Sequence, residues 1–382
     1  MALFMKVKKR IMLIVPGIIF TVIIITIASS CRSFGKLPSG ERLERIENSP
    51  YYTDGSFHYP GPLPVRPEPS AEEKSKKRYG GMFGVLKRIL FGGDKREKPS
   101  LPLPSSKTDL FALDRNDNLI VWMGHSSYYM QVDGKRFLVD PVFSGKALVV
   151  KAFKGSDIYE PADIPPLDFL VISHDHWDHL DYKTVTALQD QSAKVITGLG
   201  TASHLEYWGF KKENIIELEW NETADLGGGF STTAIATPHF SGRALTRNKT
   251  QWSAFVLKTP SRNIYIGGDG GYADFFTDVG SRYGPFDLAF LECGQYNEQW
   301  RNSHMFPEDT AQASIDLKAK KLFAVHYAKF VLSTHAWDEP ITRLRAICDE
   351  RNITLIHPLI GARVNFDKDE IYPRWWEGID QP

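Results

Sequence analysis

From residue 107 onward the chain alternates short apolar runs with turn residues and with stretches whose apolar positions recur at helical spacing. The runs NLIVWM (118–123), RFLVD (136–140), DFLVIS (168–173), TTAIAT (232–237), WSAFVLK (252–258), NIYIGG (263–268), DLAFLE (287–292) and KLFAVH (321–326) have the length and content of strands. Between them, helices are predicted near 181–190, 272–280, 307–318 and 339–350, the last opening around Pro340. This alternation predicts an α/β catalytic domain over residues 107–382, with no internal repeat of solenoid or propeller period.

The first hundred residues read differently. Four basic residues in MALFMKVKKR precede IMLIVPGIIFTVIIITIASS and Cys31, the pattern of a targeting segment rather than of a fold. The apolar stretch is short for a membrane span, which needs about 20 residues, and long for a signal-peptide core. Ala28, Ser29 and Ser30 before Cys31 resemble a lipoprotein cleavage site, and an uncleaved anchor fits as well. Either way residues 1–31 attach the chain to a bacterial membrane with the remainder outside the cytoplasm, because basic residues stay on the cytoplasmic side. Residues 32–106 are rich in Pro, Gly and charge and predict a tether with local order only. Within it, Met82, Phe83, Val85, Leu86, Ile89, Leu90 and Phe91 lie among Lys and Arg, suited either to an anionic bilayer surface or to packing on the domain. Near the other end, Tyr372, Trp375 and Trp376 could dock on lipid or on the domain.

Composition narrows the chemistry. Lys plus Arg and Asp plus Glu both number 46, so no global charge draws the protein to nucleic acid. No residue pattern specifies an oligomeric state. The three cysteines, Cys31, Cys293 and Cys348, are too few and too scattered for a disulfide framework or a thiolate zinc site, so any metal must be held by His and carboxylate.

Those ligands are present in His174-Asp175-His176-Trp177-Asp178-His179, directly after the strand DFLVIS. Alternate residues of an extended loop project to the same side, so His174 and His176 can grip one ion while Asp178 and His179, at the start of the next helix, reach a second. Three later runs also end on ligand-type residues, His239 after TTAIATP, Asp269 after NIYIGG and His326 after LFAV. A lone histidine after a strand is more often structural; here order and context join these residues to the six-residue cluster. Imidazole and carboxylate donors suit zinc, with iron or manganese as substitutes.

The order of these seven positions resembles the metallo-β-lactamase superfamily. The resemblance implies an αββα sandwich of two mixed β-sheets flanked by helices. It also implies that His174, His176 and His239 bind one metal, that Asp178, His179 and His326 bind another, and that Asp269 bridges them. Longer stretches, WMGHSSYYMQVDGKRFLVDPVFS (122–144), GGDGGYADFF, GPFDLAFLECGQYNEQW and HMFPEDTAQ, resemble N-acylphosphatidylethanolamine-hydrolysing phospholipase D and its bacterial relatives over roughly residues 107–366. That likeness implies a zinc-dependent phosphodiesterase acting on a membrane phospholipid through water activated by two ions. A more distant likeness to L-ascorbate-6-phosphate lactonases implies a soluble substrate at the same centre. His125, His304 and His335 are candidate helpers for phosphate binding or leaving-group protonation beside Asp178, and Asp140 is a candidate orienter of the ligand histidines.

Overall fold

The structure is a computed structural model and describes residues 32–64, 95–243, 246–368 and 370–380. The expected anchor (1–31) and the basic amphipathic stretch (82–91) lie outside the described residues. Described residues begin with α1 (Glu41–Glu47) and a small hairpin, β1 (Tyr52–Thr53) with β2 (Ser56–Phe57). A meander of β3 (Leu119–Trp122), β4 (Tyr128–Val132) and β5 (Lys135–Val139) follows, then a short hairpin of β6 (Lys146–Ala147) and β7 (Val150–Lys151). β8 (Leu167–Ile172), α2 (Tyr182–Ala187), β9 (Ser192–Gly198), α3 (Ala202–Tyr207) and β10 (Ile215–Leu218) alternate. The second half runs β11 (Thr223–Gly227), β12 (Phe230–Ala236), β13 (Ser253–Lys258), β14 (Asn263–Ile266), α4 (Phe275–Arg282), β15 (Leu288–Glu292), α5 (Pro307–Asp316), β16 (Leu322–Val325), α6 (Glu339–Arg351), β17 (Leu355–Ile356) and β18 (Arg363–Asn365).

These strands make two seven-stranded mixed sheets, ordered β10-β9-β8-β5-β4-β3-β18 and β11-β12-β13-β14-β15-β16-β17. The last strand crosses back to pair with β3. The expected α/β sandwich of two mixed sheets with flanking helices is what the chain forms. Strand β4, absent from the predicted runs, is closed onto β5 by Asp133–Gly134, both at positive φ (47° and 74°), the conformation a two-residue hairpin turn demands. Pro307 and Pro340 stand in the first turns of α5 and α6, where a missing N–H costs nothing.

Alternation along the strands builds two cores. Trp122, Tyr128, Phe137, Phe169 and Val171 face the second sheet and meet Phe255, Tyr265, Phe290 and Phe323, with Tyr128 stacked on Phe290 at 4.0 Å. Val121, Leu138, Leu170, Ile172 and Val195 face the other way, toward Leu180, Val185, Leu205 and Trp208 on and beside α2 and α3. A strand buried on both faces reads as a continuous apolar run, as DFLVIS does.

The tether expected over 32–106 is corrected for its described parts. Ile46 and Phe57 are wholly buried and pack with Leu199, Trp220, Ala236 and Trp252. Leu103 is buried and bonds backbone to backbone with Lys154. These apolar residues are too widely spaced to show a period, so only their tertiary partners reveal them. Trp375 and Trp376 are likewise buried, with Trp375 6.2 Å from Trp122, so these two pack on the domain.

Candidate metal centre

β5 and β8 are parallel neighbours, as are β14, β15 and β16, so the loops leaving their C-terminal ends gather on one edge. This edge carries Asp140, the 174–179 loop, His239, Asp269, Glu292 and His326. All seven expected metal-ligating residues are brought together there. Ligand atoms of His174, His176, His239 and Asp269 lie within 4.8 Å of one another, as do those of His125, Asp178, His179 and His326. Asp269 Oδ2 stands 3.1 Å from His179 Nε2, 3.7 Å from His239 Nε2 and 3.9 Å from His174 Nε2, between the two groups.

Hydrogen bonds to the far ring nitrogens settle which nitrogen His174, His179 and His239 offer. His179 Nδ1 donates to Asp140 Oδ2 at 2.8 Å, and His239 Nδ1 to the Ser303 carbonyl at 2.9 Å. Ser173 Oγ donates to Asp140 at 2.6 Å and accepts from His174 Nδ1 at 2.9 Å. In each case Nε2 keeps its lone pair and points inward. His174 Nε2 and His239 Nε2 then converge on His176 Nδ1, at 2.8 and 3.2 Å. One proton on His176 can serve only one of them; a cation satisfies all three. His179 Nε2, His326 Nε2 and Asp269 Oδ1 are buried without any hydrogen-bond partner, a costly state in the absence of an ion. The donor set therefore fits metal.

The electrostatics agree with this reading. Burial first, and neighbouring histidines next, hold His174 well below the ordinary imidazole range, so it is neutral and free to ligate. Burial also holds His326 well below that range, against the pull of Asp269. For His179 burial is outweighed by Asp269, Asp178 and Asp140, which push it well above, so without an ion Nε2 would carry a proton that a bound cation replaces.

Two of the candidate helpers take supporting places. His125 stands inside the second group and donates from Nε2 to Asp178 Oδ2 at 2.9 Å. His125 and His326 both have positive φ (54° and 69°), and His326 N–H donates to the His125 carbonyl, which sets their rings 4.1 Å apart. His335 lies outside the cluster. It accepts from Gln295 N–H at Nε2 and donates to the Ala336 carbonyl at Nδ1, so both ring nitrogens are spent on holding a loop.

His304 is brought to the centre, its ring 5.0 Å from His239 and 5.2 Å from His326. Glu292, missed in the sequence, holds it by accepting from His304 Nδ1 at 2.7 Å while its other oxygen accepts from Gly270 N–H at 2.8 Å. Its signal was there, since DLAFLE ends on a carboxylate as the other runs end on ligands. Burial works against the imidazolium of His304, but Glu292 and Asp269 outweigh it and push its pKa up to about 9.

A two-sheet sandwich with a buried His and carboxylate cluster at one edge defines a metal-dependent hydrolase of αββα architecture. A beta-lactamase superfamily domain matches residues 135–327. An uncharacterized protein of Mycobacterium tuberculosis (strain H37Rv) is 34% identical over 340 residues, covering 86% of this chain and 88% of that one. N-acyl-phosphatidylethanolamine-hydrolyzing phospholipase D 1 of Caenorhabditis elegans is 29% identical over 308 residues, covering 73% and 86%. Among solved structures, a metallo hydrolase from the archaeon Ignicoccus hospitalis superposes with a TM-score of 0.53 at 18% identity, covering 66% of this chain and all of that one. The chain belongs to the metallo-β-lactamase superfamily.

Proposed function

We propose that this metal-dependent hydrolase is a phospholipid phosphodiesterase, cleaving lipids such as N-acylphosphatidylethanolamine to N-acylethanolamine and phosphatidic acid. His174, His176 and His239 would hold one ion, zinc by donor chemistry, and Asp178, His179 and His326 the other, with Asp269 between them. Two such ions supply Lewis acidity and lower the pKa of a water toward neutrality. Asp140 and Ser173 fix the ring orientations, and His125 fixes Asp178. His304, held charged by Glu292, would donate a hydrogen bond to the phosphate and then its proton to the departing alkoxide as the phosphorus–oxygen bond to the head group breaks, while water forms the new bond to phosphorus and releases a proton to solvent, from which His304 is recharged.

The observation that carries the lipid reading is the β6–β7 hairpin. Its register leaves Leu148 and Val149 as a two-residue turn, where water-exposed hairpins favour Asn-Gly. Leu148 stands at φ 53°, and the two are 44% and 62% exposed. Exposed Lys146 and Lys151 flank this apolar tip, as suits an anionic bilayer. At its base Ala147 packs with Val142 and Phe330, and the Phe330 ring is 5.2 Å from His125, so the hairpin rises beside the metal centre. Likeness to the C. elegans phospholipase adds support. Attachment through residues 1–31, with the domain outside the cytoplasm, would keep the enzyme on its substrate.

The test is product analysis by mass spectrometry after incubating the zinc-loaded full chain with N-acylphosphatidylethanolamine in vesicles, beside His176→Ala. N-acylethanolamine and phosphatidic acid should appear only with the intact centre. Val149→Asp should lower turnover in vesicles about 10-fold, the equivalent of ~1.4 kcal/mol of lost interfacial binding, and leave a soluble nitrophenyl phosphodiester unaffected. Cleavage of the soluble ester or of a sugar-phosphate lactone with no lipid turnover would sink the lipid assignment.

A further inference from the structure

We infer that the segment following Cys31 is a clamp that holds the metal-binding loop in register from behind, a role that rests on the metal assignment above. Its backbone is gripped at successive residues. Trp208 Nε1 donates to the Arg32 carbonyl at 2.8 Å and Arg243 Nη2 to the Ser33 carbonyl at 2.9 Å. The Phe34 ring meets Trp177 edge-on at 5.0 Å, and Lys36 N–H donates to His204 Nδ1 at 3.1 Å. Further along, Arg42 pairs with Glu206 and with the buried Glu217, which itself caps the backbone N–H groups of Gly200 and Ala202.

The grips through Arg243, Trp177 and His204 pass to the metal loop. Because His204 Nδ1 accepts from Lys36, its proton must sit on Nε2, and that atom donates to Asp175 Oδ2 at 3.3 Å. Asp175 lies between His174 and His176, and its other oxygen accepts from Gly242 N–H at 2.6 Å. Arg243 Nη1 donates to the carbonyls of Asp175 and Leu180, at 2.8 and 2.6 Å, which bracket the loop, and its guanidinium lies 4.1 Å over the Trp177 ring. The loop thus has ligands on one side and, on the other, a buried network ending in residues 32–36. Asp175, His204 and Arg243 are positioning residues, and the clamp's register sets them.

Gly35 provides a test that leaves every residue of the catalytic domain in place. It has φ 76°, and a Cβ there would lie 2.1 Å from His204 Nδ1. Gly40 has φ 57° with nothing within 4 Å of its Cβ position, so an alanine there meets positive-φ strain without the collision. Zinc affinity of the full chain would be measured by competition with a chromophoric chelator, with melting of the metal-free proteins alongside. Gly35→Ala and His204→Phe should each weaken one of two zinc ions by about 10- to 100-fold. Gly40→Ala should bind as the unaltered chain does, and His204→Gln, whose amide can still donate to Asp175, should recover most of the loss. Two ions held at unaltered affinity in Gly35→Ala and His204→Phe would overturn the clamp, as would equal losses in Gly35→Ala and Gly40→Ala. An unaltered chain that takes up no zinc would instead overturn the metal assignment, and the clamp with it.

Discussion

Asp140 is the place where one atom exchange should switch off half of the metal centre. Just past β5, it accepts from Ser173 N–H at 2.8 Å, from Ser173 Oγ at 2.6 Å and from His179 Nδ1 at 2.8 Å. In Asp140→Asn one of the two oxygens becomes an NH2, and either orientation of the amide sets N–H against a donor. If the amide faces His179, the imidazole must accept at Nδ1 and move its proton to Nε2, the buried atom that has no partner and faces Asp269. A hydrogen bond to a charged group contributes about 1.5–3 kcal/mol. At about 1.4 kcal/mol per tenfold, its loss predicts roughly 10- to 100-fold weaker binding of the ion assigned to Asp178, His179 and His326. The ion assigned to His174, His176 and His239 should stay. Asp178→Asn, which alters a ligand itself, should lose the same ion more completely and serves as the reference. Metal per chain, measured after dialysis against graded chelator, decides the matter. Asp140→Asn holding both ions like the unaltered chain, while Asp178→Asn loses one, would refute the argument that Asp140 sets the tautomer.

Further expectations concern stability. Lys329 is fully buried, pairs with Asp157 at 2.9 Å and donates to the carbonyls of Met123 and Val142, so it ties the His125 and His326 loops together. Lys329→Met leaves those acceptors unpaired and should destabilise by about 3–5 kcal/mol, lowering the melting midpoint by on the order of 10 °C; an unchanged midpoint would show that the loops hold without it. Burial, then Arg345, holds the His357 pKa down at about 4, against an ordinary value of 6.5. Between those values the unfolded chain takes a proton that the folded one refuses, so stability is full above about pH 6.5 and falls by up to ~1.4 kcal/mol per unit as pH drops toward 4. His357→Gln should flatten that slope in denaturant titrations, and a slope equal to that of the unaltered chain would remove His357 as its source.

The loop 174–179 was legible because all its donors fall within six residues, and His239, Asp269 and His326 because each ends an apolar run. Glu292 carried the same mark and was passed over, since a carboxylate after a strand is also an ordinary surface residue. For His335 the helper and structural readings could not be separated, because a free histidine and one with both nitrogens engaged look alike in a sequence. Residues 32–106 read as a tether with local order only, because folding onto another part of the chain leaves no local periodicity. Phe34, Ile46 and Phe57 acquire meaning only opposite Trp177 and Trp220.

What the sequence determined by itself is the order of β3, β5, β8, β12 to β16 and of α2, α4, α5 and α6, through the spacing of apolar positions, and the kind of donor atoms available for a metal, through residue types. Both are local properties, written in neighbours along the chain. Tertiary structure alone decided which ring nitrogen each histidine presents, which carboxylates stand behind them, and that a segment rich in Pro and Gly braces the loop carrying the ligands. Those depend on pairs such as Asp140 with His179 and Lys36 with His204, 39 and 168 residues apart, whose meeting follows from the packing of whole sheets.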